Sequence, residues 1–326
     1  MNEHELKYIL KNKLNPENFS TGQDFENVRN GTFNINLHIH TQYSDGDFSV
    51  QELLDQTAKY AEYRLTKGHD DPVIIAITDH DTLAGTQEAL KIIEQSPEKY
   101  KNICFIPAIE LNSFFYKENK QKKQLEVLVY YIDPFGFSNF VEKIRQTNLN
   151  YIKELATESG VVSFKYLQKH AKYVNAGGSP ALMNEVTDIL RNKSYKETGR
   201  IIAEHNKKYG ALNINPGTPH IKELIQAVKE SGSGFVSIAH PGRSLRKVNL
   251  EETISEFQEI GVEALETNYH YIAEDNVSEE IQARINQLAD QTGMIKTGGI
   301  DSHRKSIFVG RESQLKEIIK INKFLT

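Results

Sequence analysis

The sequence predicts an α/β protein with mainly parallel strands, split by a helical insertion. Three observations carry this prediction. Apolar, strand-like runs alternate with helix-periodic segments from Phe33 to Ile132. The same alternation returns after residue 226. Between them, from about Ser138 to Lys229, helical patterns broken by AGGSP and INPGTP run without a strong strand signal.

Residues 1–32 are polar, with a short helical pattern ELKYILKNKL before an irregular connector, and are expected to form an N-terminal extension. The first strand is FNINLHIH. VQELLDQTAKYAEYRL follows as an amphipathic helix whose start is marked by Ser49, with Glu52 three residues on at the spacing of a capping box. VIIAIT is the next strand, TQEALKIIEQ the next helix, and ICFIPAIEL and QLEVLVYYI the strands after it. Lys-rich ENKQKKQ, between the last two, reads as a solvated hairpin-like tip. Residues 136–225 form the insertion. Beyond it, GFVSIAH, VEALET and MIKTGGI are separated by the amphipathic LEETISEFQEI and EEIQARINQLADQ, so the α/β unit is expected as 33–135 plus 226–326.

At 326 residues, 38% hydrophobic and 25% charged, the chain can bury a sizeable core. Its formal charge of -5 gives no general attraction to polyanions, so phosphate or nucleic-acid binding must rest on local groups or metal ions, and a stable nucleic-acid complex is not expected. The single Cys104, in ICFIPAI, reads as a small buried thiol, which excludes a disulfide framework within the chain. MNEHELKYILKNKL lacks the apolar run of a signal peptide, and no stretch approaches the roughly 20 apolar residues of a membrane span. A cytoplasmic location without a membrane partner is expected.

The chemistry lies at strand ends, where an α/β barrel gathers residues distant in sequence around one mouth. His38 and His40 share one face of their strand, because side chains alternate with period two. Such a pair can bind one ion; a strand histidine can also simply hydrogen-bond within a core. TQYSDG adds Asp45 beside Gly46 in a turn, and VIIAITDHD delivers Asp79, His80 and Asp81 as an apolar strand ends. Glu110 closes FIPAIEL, where a carboxylate is costly unless solvated, paired or metal-bound. His240 ends another strand before Pro241 and Gly242, which stop regular structure, and Asp301 and His303 again have same-face spacing. Nitrogen and carboxylate ligands without cysteine point to zinc, manganese or iron, and their number points to several ions. Clustered cations polarise a phosphoryl oxygen, activate water and stabilise a departing alkoxide, so phosphoester hydrolysis uses them best.

Together, NLHIHTQYSDG, AITDHDTLAG, PAIEL, IAHPGR and GGIDSH resemble, in order, the motifs of the PHP (polymerase and histidinol phosphatase) family of metal-dependent phosphoesterases. The resemblance covers the two α/β segments and not the middle. It implies a distorted seven-stranded β/α barrel with two or three divalent ions. By motif matching it implies that His38, His40 and Asp301 hold one ion, that Glu110 bridges to a second held with His240, and that Asp45, His80 and His303 hold a third, with a metal-bridging hydroxide attacking phosphorus. Asp45 and His80 thereby enter the catalytic set. The sequence departs from the family where EVLVYYID places Glu126 at a position usually occupied by histidine. Glu126 either completes the second site as an oxygen ligand, favouring manganese or iron over zinc, or lies on the surface and leaves that site weak.

Arg243, three residues after His240, is the candidate for gripping phosphate, since a guanidinium fork matches phosphate oxygens. Tyr269 and His270 are candidates for substrate contact or leaving-group protonation, and Asp79 and Asp81 for orienting the histidine ligands. Arg191, Arg200, His205 and His220 in the insertion are weaker candidates, because charged residues on helices usually face solvent. By analogy with related phosphoesterases the insertion is expected to cap the barrel mouth. The predicted activity is hydrolysis of a small phosphorylated substrate, with a nucleotide or short oligonucleotide first and a histidinol-phosphatase-like activity second. A degenerate, non-catalytic metal-binding module and a hydrolase of C–N bonds are the alternatives from other classes.

Overall fold

A computed structural model describes residues 34–117, 121–158, 197, 200, 201, 203–205, 216–269 and 277–303. The expected N-terminal extension, most of the insertion, Arg191 and His270 lie outside the described residues. The elements, in order, are β1 (Ile35–Ile39), α1 (Val50–Thr66), β2 (Val73–Ile77), α2 (Ala84–Gln95), β3 (Ile103–Tyr116), β4 (Lys122–Tyr130) and α3 (Ser138–Glu158). After the insertion come α4 (Ile221–Glu230), β5 (Phe235–Ile238), α5 (Pro241–Ser244), α6 (Leu250–Ile260), β6 (Ala264–Asn268), α7 (Glu279–Thr292) and β7 (Ile295–Gly298).

The strands form one seven-stranded mixed sheet in sequence order. β1, β2 and β3 are parallel, as are β5, β6 and β7, but β4 runs antiparallel to both its neighbours. The reversal at β4 falls where the hairpin-like tip is expected and interrupts the parallel alternation. β3 does not stop at Leu111; it continues through Asn112–Tyr116 and returns directly into β4, with Lys117 N–H donating to Gln121 at 2.9 Å. No helix separates the two strands, and so short a connection can only join antiparallel partners. The Lys-rich segment is therefore part of a hairpin, with residues 118–120 outside the described set.

Strands β1 and β2 are buried at every position, as strands covered on both faces must be. The capping box at α1 is present: Ser49 Oγ accepts from Glu52 N–H at 3.2 Å and Glu52 Oε2 accepts from Ser49 N–H at 3.1 Å. Pro241 is followed by one helical turn, α5, instead of ending regular structure, because proline fits the first position of a helix. Cys104 is buried as expected. One apolar cluster joins β1–β3 to α1 and α2; a second packs Ile109, Leu111, Leu125, Val127 and Val129 under α3, α4, α6 and α7. Among the described residues no helix is long and apolar enough to cross a membrane.

The sheet curls. Tyr130 on β4 reaches across to donate its hydroxyl to Leu37 O on β1 at 3.0 Å, and Ser237 on β5 pairs with Thr297 on β7 at 3.0 Å. Just past β7, Ser302 makes an isolated parallel bridge to Ile39, exchanging bonds of 2.9 and 3.0 Å with His40 N–H and His38 O. The two edges of the sheet thus meet at the end where the strand-end motifs lie. At the opposite end the fully buried Arg64 pairs with Asp71 at 2.6 Å, and Asp71 also accepts from Asn34, tying the end of α1 to the starts of β1 and β2.

Candidate metal centre

The histidine pair lies where the curl turns the inner face of β1 toward the other strand ends. His38 and His40 are fully buried with ring centroids 5.1 Å apart. Glu110 stands beside them because β3 overruns its neighbours and bridges His80 there. Its Oε2 is 3.0 Å from His38 Nε2, 3.3 Å from His40 Nε2 and 3.4 Å from His80 Nδ1, and its Oε1 is 3.4 Å from His240 Nε2. A buried carboxylate is therefore surrounded by four imidazoles. Glu126, on β4, places Oε2 3.2 Å from His240 Nε2.

Asp301 approaches from beyond β7, its Oδ1 lying 3.1 Å from His40 Nε2, 3.4 Å from His38 Nε2 and 3.3 Å from His303 Nδ1. Asp45 gathers His303 (3.2 Å), His40 (3.5 Å) and His80 (3.9 Å). The side chains form three overlapping groups with ligand atoms within 4.8 Å: His40, Asp45, His80 and His303; His38, His40 and Glu110; and His80, Glu110 and Glu126. The structure thus brings together nine of the side chains singled out in the sequence. It groups Glu126 with His80 as well as placing it against His240.

Loop packing fixes these positions. Asp79 is buried and turned away from the ligand space, accepting from Thr41 N–H, Thr41 Oγ1 and Ser44 Oγ, each at 2.7 Å. It anchors the turn that carries Asp45. A Cβ on Gly46 would come within 2.1 Å of the His40 carbonyl oxygen, so only glycine lets this turn fold back on the ligand strand. His240 (φ 28°) and Asp301 (φ 49°) have left-handed backbone, a conformation uncommon outside glycine but better tolerated by histidine and aspartate than by most residues. Asp81 (φ 53°) accepts from Asn112 N–H at 3.4 Å, on the far side of its own turn.

Sequence reasoning missed Glu266. It is fully buried on β6, with Oε1 2.8 Å from His38 Nδ1 and Oε2 accepting from His240 N–H at 2.7 Å. A carboxylate in this position makes Nδ1 of His38 the donor, so that Nε2, once it gives up its proton, offers its lone pair on the side of Glu110 and Asp301. The signal was present: ALET ends an apolar run with a carboxylate, as PAIE does.

Burial alone would lower the imidazole pKa values, but the carboxylates prevail. His40 is raised to about 10 by Asp301 and Glu110. His38, facing Glu266, Glu110 and Asp301, and His240, facing Glu110 and Glu126, are raised as well. Conversely, burial would raise the carboxyls, yet His38 and His80 hold Glu110 low, His38 and His40 hold Asp301 low, and His303 and His80 hold Asp45 low. Asp79 is raised, by burial.

At the rim, Arg243 Nη2 donates to Tyr269 Oη at 3.1 Å, and that hydroxyl donates to Asp301 Oδ2 at 2.8 Å. The insertion candidates have other local partners. Arg200 pairs with Glu204 at 3.0 Å on an exposed helix face, His205 is buried against Tyr151 with Nε2 3.2 Å from its carbonyl, and His220 caps α4.

Five buried side-chain atoms turned toward this space have no hydrogen-bond partner: His40 Nε2, His80 Nδ1, Glu110 Oε1, Asp45 Oδ1 and Asp301 Oδ1. Buried polar atoms without partners are expensive, and a set that combines imidazole nitrogens with carboxylate oxygens is satisfied by cations. The residues fit divalent ions held by nitrogen and oxygen.

No family model matches the chain. Among curated proteins, the 3′,5′-nucleoside bisphosphate phosphatase of Chromobacterium violaceum is 22% identical over 280 residues, covering 83% of this chain and 87% of that protein. Among solved structures, one assigned as a metal-dependent phosphoesterase of Bifidobacterium adolescentis aligns with a TM-score of 0.61 at 20% identity, covering 90% of this chain and 95% of that one. An amidohydrolase of Chromobacterium violaceum, with sulfate bound and no metal, aligns with a TM-score of 0.57 at 20% identity over 86% and 92% of the two chains. The mixed seven-stranded α/β sheet is thus shared with solved hydrolases.

Proposed function

We propose that this protein is a PHP-type metal-dependent phosphoesterase that hydrolyses a phosphate ester of a small substrate, a nucleotide or short oligonucleotide first, on two or three divalent ions, a reading its similarity to a phosphatase and to a phosphoesterase fold supports. The observation that carries the reading is the buried cluster of imidazole and carboxylate atoms that face one another without hydrogen bonds. Its curated relative acts on nucleoside bisphosphates, which supports the nucleotide assignment. The curled sheet reads as the distorted barrel.

His38, His40 and Asp301 would hold one ion, Glu110 would bridge to a second beside His240 and Glu126, and Asp45, His80 and His303 would hold a third. Bound there, divalent ions supply Lewis-acid polarisation of the phosphoryl group and a nucleophile from water at neutral pH. The chain's own part is positioning. Glu266 fixes His38 with Nδ1–H facing itself. Arg243, steered by Tyr269, presents its guanidinium beside Asp301, where it would pair with phosphate oxygens and offset charge gained at phosphorus. Glu126 adds a negative ligand where an imidazole would be neutral, which favours manganese or iron over zinc.

The test is metal analysis of the purified protein with a phosphate-release screen over adenosine 3′,5′-bisphosphate, short oligonucleotides, histidinol phosphate and an amide panel. Manganese-dependent phosphate release, lost in Asp301→Ala and His40→Ala variants that still fold, is the expected result. Absence of both metal and turnover would leave a non-catalytic module. Amide hydrolysis without phosphate release would instead favour the C–N hydrolase reading, which the amidohydrolase neighbour keeps in view.

A further inference from the structure

The β3–β4 ladder extends well beyond the metal centre, and its inner face changes character along the way. Side chains paired across an antiparallel ladder share a face. The face that carries Tyr130 and Glu110 toward the interior continues outward as the pairs Asn112 with Glu126, Phe114 with Gln124 and Tyr116 with Lys122. The opposite face, from Ile109 to Phe115 and Leu125 to Val129, is packed under helices. Exposure on the inner face rises outward, from 1% at Glu110 and 7% at Asn112 to 9% at Phe114 and 50% at Tyr116. Gln124 and Lys122 are exposed. The ladder therefore forms one wall of the approach to the site.

That wall is an aromatic and amide surface with one cation. The Phe114 ring meets Tyr116 edge-on at 5.6 Å and His220 edge-on at 5.2 Å, while Tyr116 and His220 stack at 5.6 Å and 30°. Lys122 Nζ lies 4.5 Å from the centre of the Phe114 ring. His220 is pinned there because Pro219 O accepts from both Phe114 N–H and Ser113 Oγ at 3.1 Å. Burial and the charges of Lys222 and Lys122 keep the His220 pKa below its ordinary value, so the ring is neutral and suited to stacking. Gln124 Nε2 donates to Asn112 Oδ1 at 2.7 Å, setting a pair of amides between the rings and Glu126. The rows of Phe114 and Tyr116 stand about 7 and 14 Å beyond the Asn112–Glu126 row at strand rise. A ribose with its base spans the first of these gaps and meets the rings gathered within 5.6 Å of Phe114; a bare phosphate or glycerol phosphate does not.

We propose that this wall, with Tyr116, His220 and Lys122 as its outer surface, is the base subsite of a nucleotide whose phosphate is held at the metal centre. It rests on the phosphoesterase reading for the position of the phosphate. Aromatic rings take any base by its π-face, and the amides and Lys122 meet polar edges or a second phosphate. The subsite therefore selects nucleotides over sugar phosphates rather than one base over another.

The experiment compares adenosine 3′,5′-bisphosphate with ribose 5-phosphate in the manganese-loaded full-length protein. Tyr116→Ala is expected to raise KM for the nucleotide about tenfold, with kcat and the ribose 5-phosphate values unchanged, and Tyr116→Phe to restore wild-type behaviour. Equal losses on both substrates, or no change on the nucleotide, would overturn the subsite. A second arm measures equilibrium binding of adenosine 5′-monophosphate and ribose 5-phosphate without turnover. A preference for the nucleotide that disappears in Tyr116→Ala sustains the subsite even if no phosphate is released, whereas no preference in the wild-type protein rejects it whatever the activity.

Discussion

Glu266→Gln tests the organisation of the centre with a single atom. The carboxylate faces two donors at once, Nδ1 of His38 at 2.8 Å and the backbone N–H of His240 at 2.7 Å, and is fully buried between them. An amide offers one acceptor and one donor, so one contact must fail. If the amide nitrogen faces His240, two buried donors oppose each other, a loss of about 1–3 kcal/mol. If it faces His38, the neutral imidazole accepts at Nδ1 and keeps its proton on Nε2, the atom 3.0 Å from Glu110, so an ion at Nε2 requires the tautomer whose Nδ1–H opposes the amide. Loss of such an orienting contact typically lowers metal affinity about 10–100-fold, or roughly 1.4–2.7 kcal/mol, and the two estimates agree in size. Calorimetric titration of chelator-treated protein with manganese, wild type against variant, measures it directly, and urea unfolding of the same samples reports the stability loss. Affinity within twofold of wild type would refute the role assigned to Glu266; a stability loss alone would make it a strut between β1 and β6.

Metal uptake should release protons, because His40 is held at about 10 and His38 and His240 above their ordinary value, so affinity should rise with pH; titrations in buffers of different ionisation enthalpy read the proton count, and a count of zero would contradict it. For the metal-free protein the signs are set by linkage. The raised histidines contribute stability that is complete below about pH 6.5 and lost as pH climbs toward 10, while the depressed Glu110, Asp301 and Asp45 contribute stability lost as pH falls below about 4. Denaturation of the chelated protein should therefore show a maximum between about pH 4.5 and 6.5, and greater stability at pH 8 than at pH 6 would be the wrong result. Asp71→Ala should destabilise the fold by about 3–5 kcal/mol, since it removes the carboxylate paired with the buried Arg64, yet leave manganese affinity unchanged because the pair is at the opposite end of the sheet. Gly46→Ala forces the turn away from the His40 carbonyl and should displace Asp45, lowering the number of bound ions per chain by one in metal analysis; full occupancy would show that Asp45 is not a needed ligand.

Much of this was written locally. Period-two spacing announces that His38 and His40 share a face, and the structure has both rings buried there. The capping box of Ser49 and Glu52 is local by nature and is found where its spacing places it. The strand ends are equally visible, because an acidic residue or histidine closing an apolar run is unusual wherever it occurs. Glu266 shows how easily the same signal passes unnoticed, since it lies inside its strand, before Thr267 and Asn268, and has no histidine beside it to mark it. The hairpin tip between β3 and β4 was legible too, whereas short-range patterns failed at Pro241, whose helical turn depends on the backbone of His240.

The sequence by itself determined the inventory: which side chains can bind a cation, which strands bear them, and in what order. Only the tertiary structure decided that the sheet curls, that Asp301 comes within 3.1 Å of His40, that Glu126 meets His240, and that Glu266 stands behind His38. Local periodicity records how a segment meets solvent and core, one element at a time. Distances between elements are fixed by how all of them pack at once, and the oxygens and nitrogens left facing one another at the strand ends follow from that packing.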